Sequence, residues 1–285
     1  MSSKLKIGMH VDNWRHLDVS YEPACEFAAE QGLEHVEFGT IDGDYFIQAL
    51  GYNPHIPLHS DPLKLKAYLD SKGLKVSQLD AAYPMSSPEG QHRGIGYTCR
   101  AIQFAKALDC PCVDTTDGGR KPEGYTDDEV MALIRQYYRV VLEWAERYEM
   151  IINVEPHGPY TTDPDCMERI LSMYDSPWLR MNFDTGNTFI AGQDPVAFLK
   201  RFRDKLSHVH IKDVSAELAE AIRGGETGIA CSAMAIGEGV NADNISGCIE
   251  LLKEIDWDGV LSIECLAAPG KMEQSVEWLQ KEIAR

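Results

Sequence analysis

His208-Val209-His210-Ile211-Lys212-Asp213 alternates polar and apolar side chains at every step. That period marks a β-strand with two unlike faces, because successive side chains on a strand point to opposite sides. Short β-branched or apolar runs also occur at Lys4 to His10, His35 to Phe38, Lys75 to Leu79, Cys112 to Thr115, Ile151 to Glu155, Leu179 to Asp184 and Val260 to Glu264, which makes eight strand candidates. Segments of helical period separate them. The clearest runs from Thr126 to Met150, where Val130, Leu133, Ile134, Tyr137, Tyr138, Val141, Trp144, Ala145 and Tyr148 keep three- and four-residue spacing behind the acidic opening Asp127-Asp128. Weaker helical patterns cover Glu22 to Gln31, Pro62 to Ser71, Tyr97 to Leu108, Pro164 to Met173, Pro195 to Phe202, Asn244 to Ile255 and Met272 to Ile283. Three of these begin with Asp-Pro, at Asp61-Pro62, Asp163-Pro164 and Asp194-Pro195, a cap followed by proline in the first turn.

Strands alternating with helices imply a parallel sheet. A closed (β/α)8 TIM barrel fits better than an open doubly wound sheet, since the first strand runs into Met9-His10-Val11-Asp12-Asn13-Trp14 and not into a glycine-rich dinucleotide turn. The 285 residues exceed a typical domain of about 100–200, yet α/β barrels reach about 250 as one unit, so a single domain over 1–285 is expected. Lys and Arg total 27 against 45 Asp and Glu, a net charge of −18 that repels phosphate backbones and anionic bilayers, so neither nucleic acid nor membrane is an expected partner. No apolar stretch approaches a membrane span or a signal-peptide core, which points to the cytoplasm. The eight cysteines are scattered too thinly for a disulfide scaffold and are read as reduced thiols; Cys110-Pro111-Cys112 lacks the spacer of a redox or zinc pair.

In such a barrel, chemistry gathers at the carboxyl ends of the strands. The last four strands end in Asn153-Val154-Glu155-Pro156-His157, Asn182-Phe183-Asp184-Thr185-Gly186-Asn187, the opening hexapeptide, and Ser262-Ile263-Glu264. Strand parity puts Asn182 with Asp184, His208 with His210 and Lys212, and Ser262 with Glu264, while Val154, Phe183, Val209, Ile211 and Ile263 turn to the helices. Glu155, Asp184, His210 and Glu264 then converge on the barrel axis. Three carboxylates crowded together repel one another unless a cation joins them, and three oxygens with one imidazole suit Mn²⁺, Mg²⁺, Co²⁺ or Fe²⁺ better than structural zinc. His208 reads equally as a packed histidine and Asp213 equally as a loop cap. Lys212 shares the inward face, where an unpaired ammonium is costly.

Glu-Pro-His after strand five, Asn-Phe-Asp-Thr-Gly-Asn after strand six, His-Val-His-Ile-Lys-Asp on strand seven, the Gly237-Glu238-Gly239 turn and Ile263-Glu264-Cys265 on strand eight resemble the xylose isomerase-like TIM barrels of the sugar phosphate isomerase/epimerase family. The resemblance covers essentially the whole chain. It implies a divalent metal, Mn²⁺ by preference, held by residues that fall on Glu155, Asp184, His210 and Glu264, and a sugar or keto-sugar substrate. The family includes ketose 3-epimerases, hydroxypyruvate isomerase, inosose dehydratase, enzymes of 3-oxo-glycosides such as C-glycoside-cleaving lyases, and an endonuclease IV DNA-repair branch. That last branch resembles a three-metal site with additional histidines, one of them at the position of Asn187 here; strand three also runs out without histidine, as Leu79-Asp80-Ala81-Ala82-Tyr83-Pro84. Family members often associate as homo-oligomers, and the same is expected here.

The leading expectation is an isomerase or epimerase acting through an enediolate formed by proton loss beside a carbonyl. Glu155 and Glu264, on nonadjacent strands, would flank the substrate as bases, with His157 either a competing base or a group orienting Glu155. The alternative is a lyase or dehydratase on a 3-oxo-sugar or 3-oxo-glycoside, which the same constellation serves; DNA repair and a noncatalytic sugar-binding barrel rank lower. Expected substrate contacts are His10, Trp14, Asn187, His208, Lys212 and Asp213, although Trp14 reads more readily as a packing residue than as one stacked on a sugar, with Glu37, Asp80, Asp114 and Asp117 as further rim candidates. His210 to Glu264 is 54 residues, against about 31 per repeat of a 250-residue barrel, so a segment is inserted at about 214–236. Its Glu217 to Arg223 stretch reads as helical and Gly224 to Gly228 as a flexible turn, together a lid or specificity element over the active face, the alternative being a surface excursion used in subunit contacts. Phosphate recognition by the Gly237-Glu238-Gly239 turn is disfavoured by Glu238 itself and by the scarcity of nearby arginine.

Overall fold

The computed structural model describes residues 4–42, 53–225 and 230–285. Its strands are β1 (Lys6–His10), β2 (His35–Ile41), β3 (Ile56–Pro57), β4 (Lys75–Asp80), β5 (Cys112–Thr115), β6 (Ile151–Val154), β7 (Leu179–Asp184), β8 (Leu206–Ile211) and β9 (Val260–Ile263). All pairings are parallel, in the order β1-β9-β8-β7-β6-β5-β4-β2, and β1 pairs back onto β2, which closes an eight-stranded barrel with the two-residue β3 added beside β2. The eight staves are those the hydrophobic runs mark.

Around them lie α1 (Glu22–Glu30), α2 (Pro62–Lys72), α3 (Ile95–Ala107), α4 (Asp127–Tyr148), α5 (Pro164–Leu171), α6 (Thr185–Ile190), α7 (Pro195–Phe202), α8 (Ala216–Ile222), α9 (Ala242–Glu254) and α10 (Lys271–Ala284). The caps form as the sequence dictates. Asp61 accepts from the Leu63 amide, Asp163 from Asp165 and Cys166, and Asp194 from Val196 and Ala197, each ahead of a proline in the first turn. Thr126 and Glu129 close a reciprocal capping box on α4. Among the elements without a clear sequence signal are the seven-residue 3₁₀ helix Val11–Leu17 after β1, and α6, which starts directly at the tip of β7.

Strand parity is as expected: Val154, Phe183, Val209, Ile211 and Ile263 all belong to the apolar layer between sheet and helices. The barrel interior is the unusual part. Glu37, Gln78, Asn153, Asn182 and Ser262 are wholly buried there, with Ser77 and His208 nearly so. Polar groups survive burial only when hydrogen-bonded, and here they bond one another: Gln78 to Glu37, Asn153 to Gln78, His208 to Asn182 and Ser77. No described helix is long and apolar enough to cross a membrane. The eight cysteines are free, with Cys231 exposed.

Candidate metal centre

Register sets the site. Asp184 on β7 is the Cα partner of His210 on β8, and His210 that of Ser262 on β9, two residues before Glu264. Glu155 follows β6 directly. One ligand atom from each of Glu155, Asp184, His210 and Glu264 lies within 4.8 Å of the others. All three carboxylates face the same ring nitrogen: His210 Nδ1 is 2.9 Å from Glu155 Oε1, 3.3 Å from Glu264 Oε2 and 3.9 Å from Asp184 Oδ2. The two oxygens of Asp184 divide their work. Oδ1 caps α6 through the Gly186 and Asn187 amides at 2.7 and 2.8 Å, which leaves Oδ2 to the cluster.

Lys212 supplies the nearest fixed positive charge, 2.8 Å from Glu264 and 3.1 Å from Asp184, with Asn187 Oδ1 at 2.9 Å. Gly186 makes this possible, because a Cβ there would meet the lysine stem at 2.5 Å. Burial pushes the Glu155 carboxyl up to about 8 against the pull of His210, and that of Asp184 up to about 6 against the pull of Lys212. Burial opposes charge on Glu264 too, but Lys212 and His210 outweigh it and hold its carboxyl well below the usual range. Likewise the His210 imidazolium, opposed by burial, is favoured by Glu37, Glu155 and Glu264. The neighbouring Glu264 charge favours a proton on Asp184, since two carboxylates side by side do not both ionise freely. A divalent cation would replace that proton: three oxygens and one imidazole nitrogen at this spacing fit its coordination shell.

The remaining expected contacts sort by geometry. Lys212 and Glu264 line an open cavity with Asp12, Asn13, Arg15, Cys231 and Ser232. His157 stands at the rim, half-buried, and burial followed by the nearby Lys212 ammonium lowers its pKa to about 4, so the ring is neutral. His10 is buried with Nε2 3.4 Å from Asp80; burial disfavours its charge, yet Glu37, Asp80 and Asp12 raise it to about 9. Asn187 bridges Lys212 and, at 3.4 Å, Glu155.

Three expected contacts have other tasks. Trp14 packs on Phe27 within the apolar core. His208 lies one layer below the cluster and faces the amino end of the barrel, bonded to Asn182 and Ser77. Asp213 is wholly buried, and its oxygens accept from the amides of Val214, Gly237, Gly239 and Asn241 at 2.8 to 3.0 Å. The Gly237-Glu238-Gly239 turn wraps that carboxylate, so its amides are spent internally; a Cβ at Gly239 would strike Asp213 at 2.3 Å. Among the rim candidates, Asp117 anchors the His157 loop through Gly158, Tyr160 and Thr161 in the same manner. Asp80 contacts His10, and Asp114 is wholly buried.

The inserted segment bridges two places. At one end Leu218, Ala219 and Ile222 of α8 pack on Phe189, Ile190 and Val214, with the Arg223 guanidinium over the Phe189 ring. At the other, Ala230, Cys231 and Ser232 form a wall of the cavity, where Arg15 bonds Cys231 and the Leu266 amide donates to Ser232. Of the expected turn Gly224 to Gly228, residues 226–228 lie outside those described. The sequence reading missed Asp12 and Arg15; the surviving signal was a charged pair three apart right after strand one.

A family model for the xylose isomerase-like TIM barrel matches residues 25–282, and the chain belongs to that family. Its curated relatives include an inosose dehydratase of Clostridium beijerinckii, 28% identical over 39% of this chain and 38% of that protein. Another, from Lacticaseibacillus casei, is 25% identical over 56% and 57%. The chain thus spans between about two fifths and three fifths of the length of these relatives. Among solved structures, a D-tagatose 3-epimerase-like protein superimposes with a TM-score of 0.74 at 21% identity over 98% of this chain and 97% of that one. A probable 3-DHS dehydratase of Bacillus anthracis gives 0.71 at 18% over 96% and 98%. The IolI protein, solved with a zinc atom, gives 0.71 at 17% over 98% and 95%. At these identities the structures share the fold.

Proposed function

We propose that the protein is a divalent-metal-dependent enzyme that removes a proton beside the carbonyl of a keto-sugar or keto-polyol and expels a substituent from the neighbouring carbon, as a dehydratase or lyase. The observation that carries this reading is the convergence of Glu155, Asp184, His210 and Glu264, whose ligand atoms lie within 4.8 Å of one another, with Glu264 also lining a small cavity. The relatives tilt it toward elimination, since the two curated ones named above are inosose dehydratases. A divalent ion held by those four residues, Mn²⁺ by preference, would polarise the substrate carbonyl and stabilise the negative charge that proton loss leaves behind.

The chain's own groups do the rest. Glu264, the ligand that lines the cavity, reaches substrate and takes the α-proton. Lys212 is held cationic by Asp184 and Glu264 despite its burial, so it stabilises developing negative charge and does not release its proton. Elimination also needs an acid for the leaving group, and the histidines are poised apart: His10 charged at neutral pH, His157 neutral. Epimerisation is the second reading, supported by the epimerase-like fold neighbour and by the presence of two glutamates, Glu155 and Glu264, in one cluster. Incubating the Mn²⁺-loaded protein with inososes and 3-oxo-glycosides in deuterated water separates the two. Elimination gives product lighter by the lost group; epimerisation gives unchanged composition with deuterium at one carbon; a panel with neither product nor exchange sinks both.

A further inference from the structure

We infer that Glu37 is the positioning residue of this centre: it accepts the Nε2–H hydrogen bond of His210 and so fixes Nδ1 as the nitrogen that meets the metal. The inference rests on the reading of Glu155, Asp184, His210 and Glu264 as the ligand set. Glu37 sits on β2, across the barrel from β8, with no exposure at all. Both of its oxygens are 2.9 Å from His210 Nε2, while Nδ1 of the same ring faces the three carboxylates. A neutral imidazole carries its hydrogen on one nitrogen and its lone pair on the other, and an ionised carboxylate accepts but cannot donate. Glu37 therefore holds the hydrogen on Nε2 and leaves the lone pair on Nδ1, aimed at the cluster.

A buried carboxylate at the axis of a barrel is expensive unless every lone pair is used. Here they are used by a frame drawn from four other strands. Gln78 of β4 donates to Glu37 Oε1 at 2.7 Å, and Ser262 of β9 donates to Oε2 at 2.8 Å. Gln78 is itself held by Asn153 of β6 at 2.5 Å, and Asn153 by Ser207 of β8. This accounts for the polar barrel interior: Gln78, Asn153, Ser207 and Ser262 orient one charge toward one nitrogen. Glu37, His208 and His210 also come close enough to suggest a second ion. The hydrogen bonds argue otherwise, because His208 Nε2 is 3.9 Å from Glu37 and its ring nitrogens face Asn182 and Ser77. Carboxylate partners of metal-bound histidines raise ligand basicity, and losing one typically costs about 10–100-fold in metal affinity.

The test uses the full chain loaded with Zn²⁺, a diamagnetic probe, with ¹⁵N-labelled histidine. In the wild-type protein the His210 resonances should show Nδ1 coordinated and Nε2 protonated. Glu37→Gln, close in shape but able to turn an N–H toward the ring, should weaken Zn²⁺ in a chelator competition by about 10–100-fold. Coordination through Nε2, or two ions per chain with Glu37 bound to one, overturns the assignment. So does an unchanged affinity in Glu37→Gln, which would leave the ligand set standing. A wild-type chain that binds no Zn²⁺ refutes both the assignment and the ligand set beneath it. If Glu37→Gln fails to fold, the wild-type spectrum alone decides.

Discussion

Replacing Asp213 separates an anchor from a substrate contact. Its carboxylate accepts four backbone N–H groups, two of them from the buried Val214 and Asn241 and two from the half-buried Gly237 and Gly239. In Asp213→Ala water can reach the glycine amides, but the two buried donors lose their partner, at about 1–3 kcal/mol each. The expected loss is roughly 4 kcal/mol, a fall of about 8–16 °C in Tm at ~2–4 °C per kcal/mol. Asp213→Asn keeps one acceptor oxygen and gives up the charge assistance, so it should cost about half as much. Urea unfolding followed by far-ultraviolet circular dichroism measures both variants. If either is as stable as wild type but fails to turn over a substrate that wild type accepts, Asp213 faces the ligand and the anchor role is wrong.

Other outcomes follow from the same geometry. Because the ion-free site holds protons on Glu155, near pH 8, and on Asp184, near pH 6, binding a cation must release them. Apparent Mn²⁺ affinity, read by calorimetry, should therefore climb as pH rises from 6 to 8, by about tenfold per unit for each proton released; a flat profile contradicts this. Lys212→Met leaves Asp184 and Glu264 without their ammonium, which should cost about 3–5 kcal/mol in metal-free protein and distinctly less with saturating Mn²⁺, seen as a widened gap between the two melting temperatures. Iodoacetamide should label exposed Cys231 in the native chain and spare Cys25, Cys110 and Cys265, whose thiols burial pushes up to about 12, until the protein is unfolded; mass spectrometry of the peptides reads this directly.

Much of this architecture was legible because it depends on local signals. Apolar runs mark the staves, Asp-Pro pairs the helix starts, and period-two alternation tells which of Asp184 or Phe183 turns inward. The convergence of four strand tips follows from that parity plus closure of the sheet. What stayed hidden is decided by long-range partners. Asp213 and Lys212 are adjacent in sequence, yet one is wrapped by amides from residues 237–241 and the other reaches the carboxylates. Glu37 could be placed on a strand, but its hold on His210, 173 positions away, depends on the width of the barrel. The short helix after Asp184 needed only one capping carboxylate, and six residues give too few turns for a period to show.

The central claim is that four strand tips hold one cation together. A crystal soaked in Mn²⁺ and measured for anomalous scattering tests it most directly. One peak is expected, about 2.2 Å from an oxygen of each of Glu155, Asp184 and Glu264 and from Nδ1 of His210. A map with no peak there, or with the ion bound elsewhere, would contradict it.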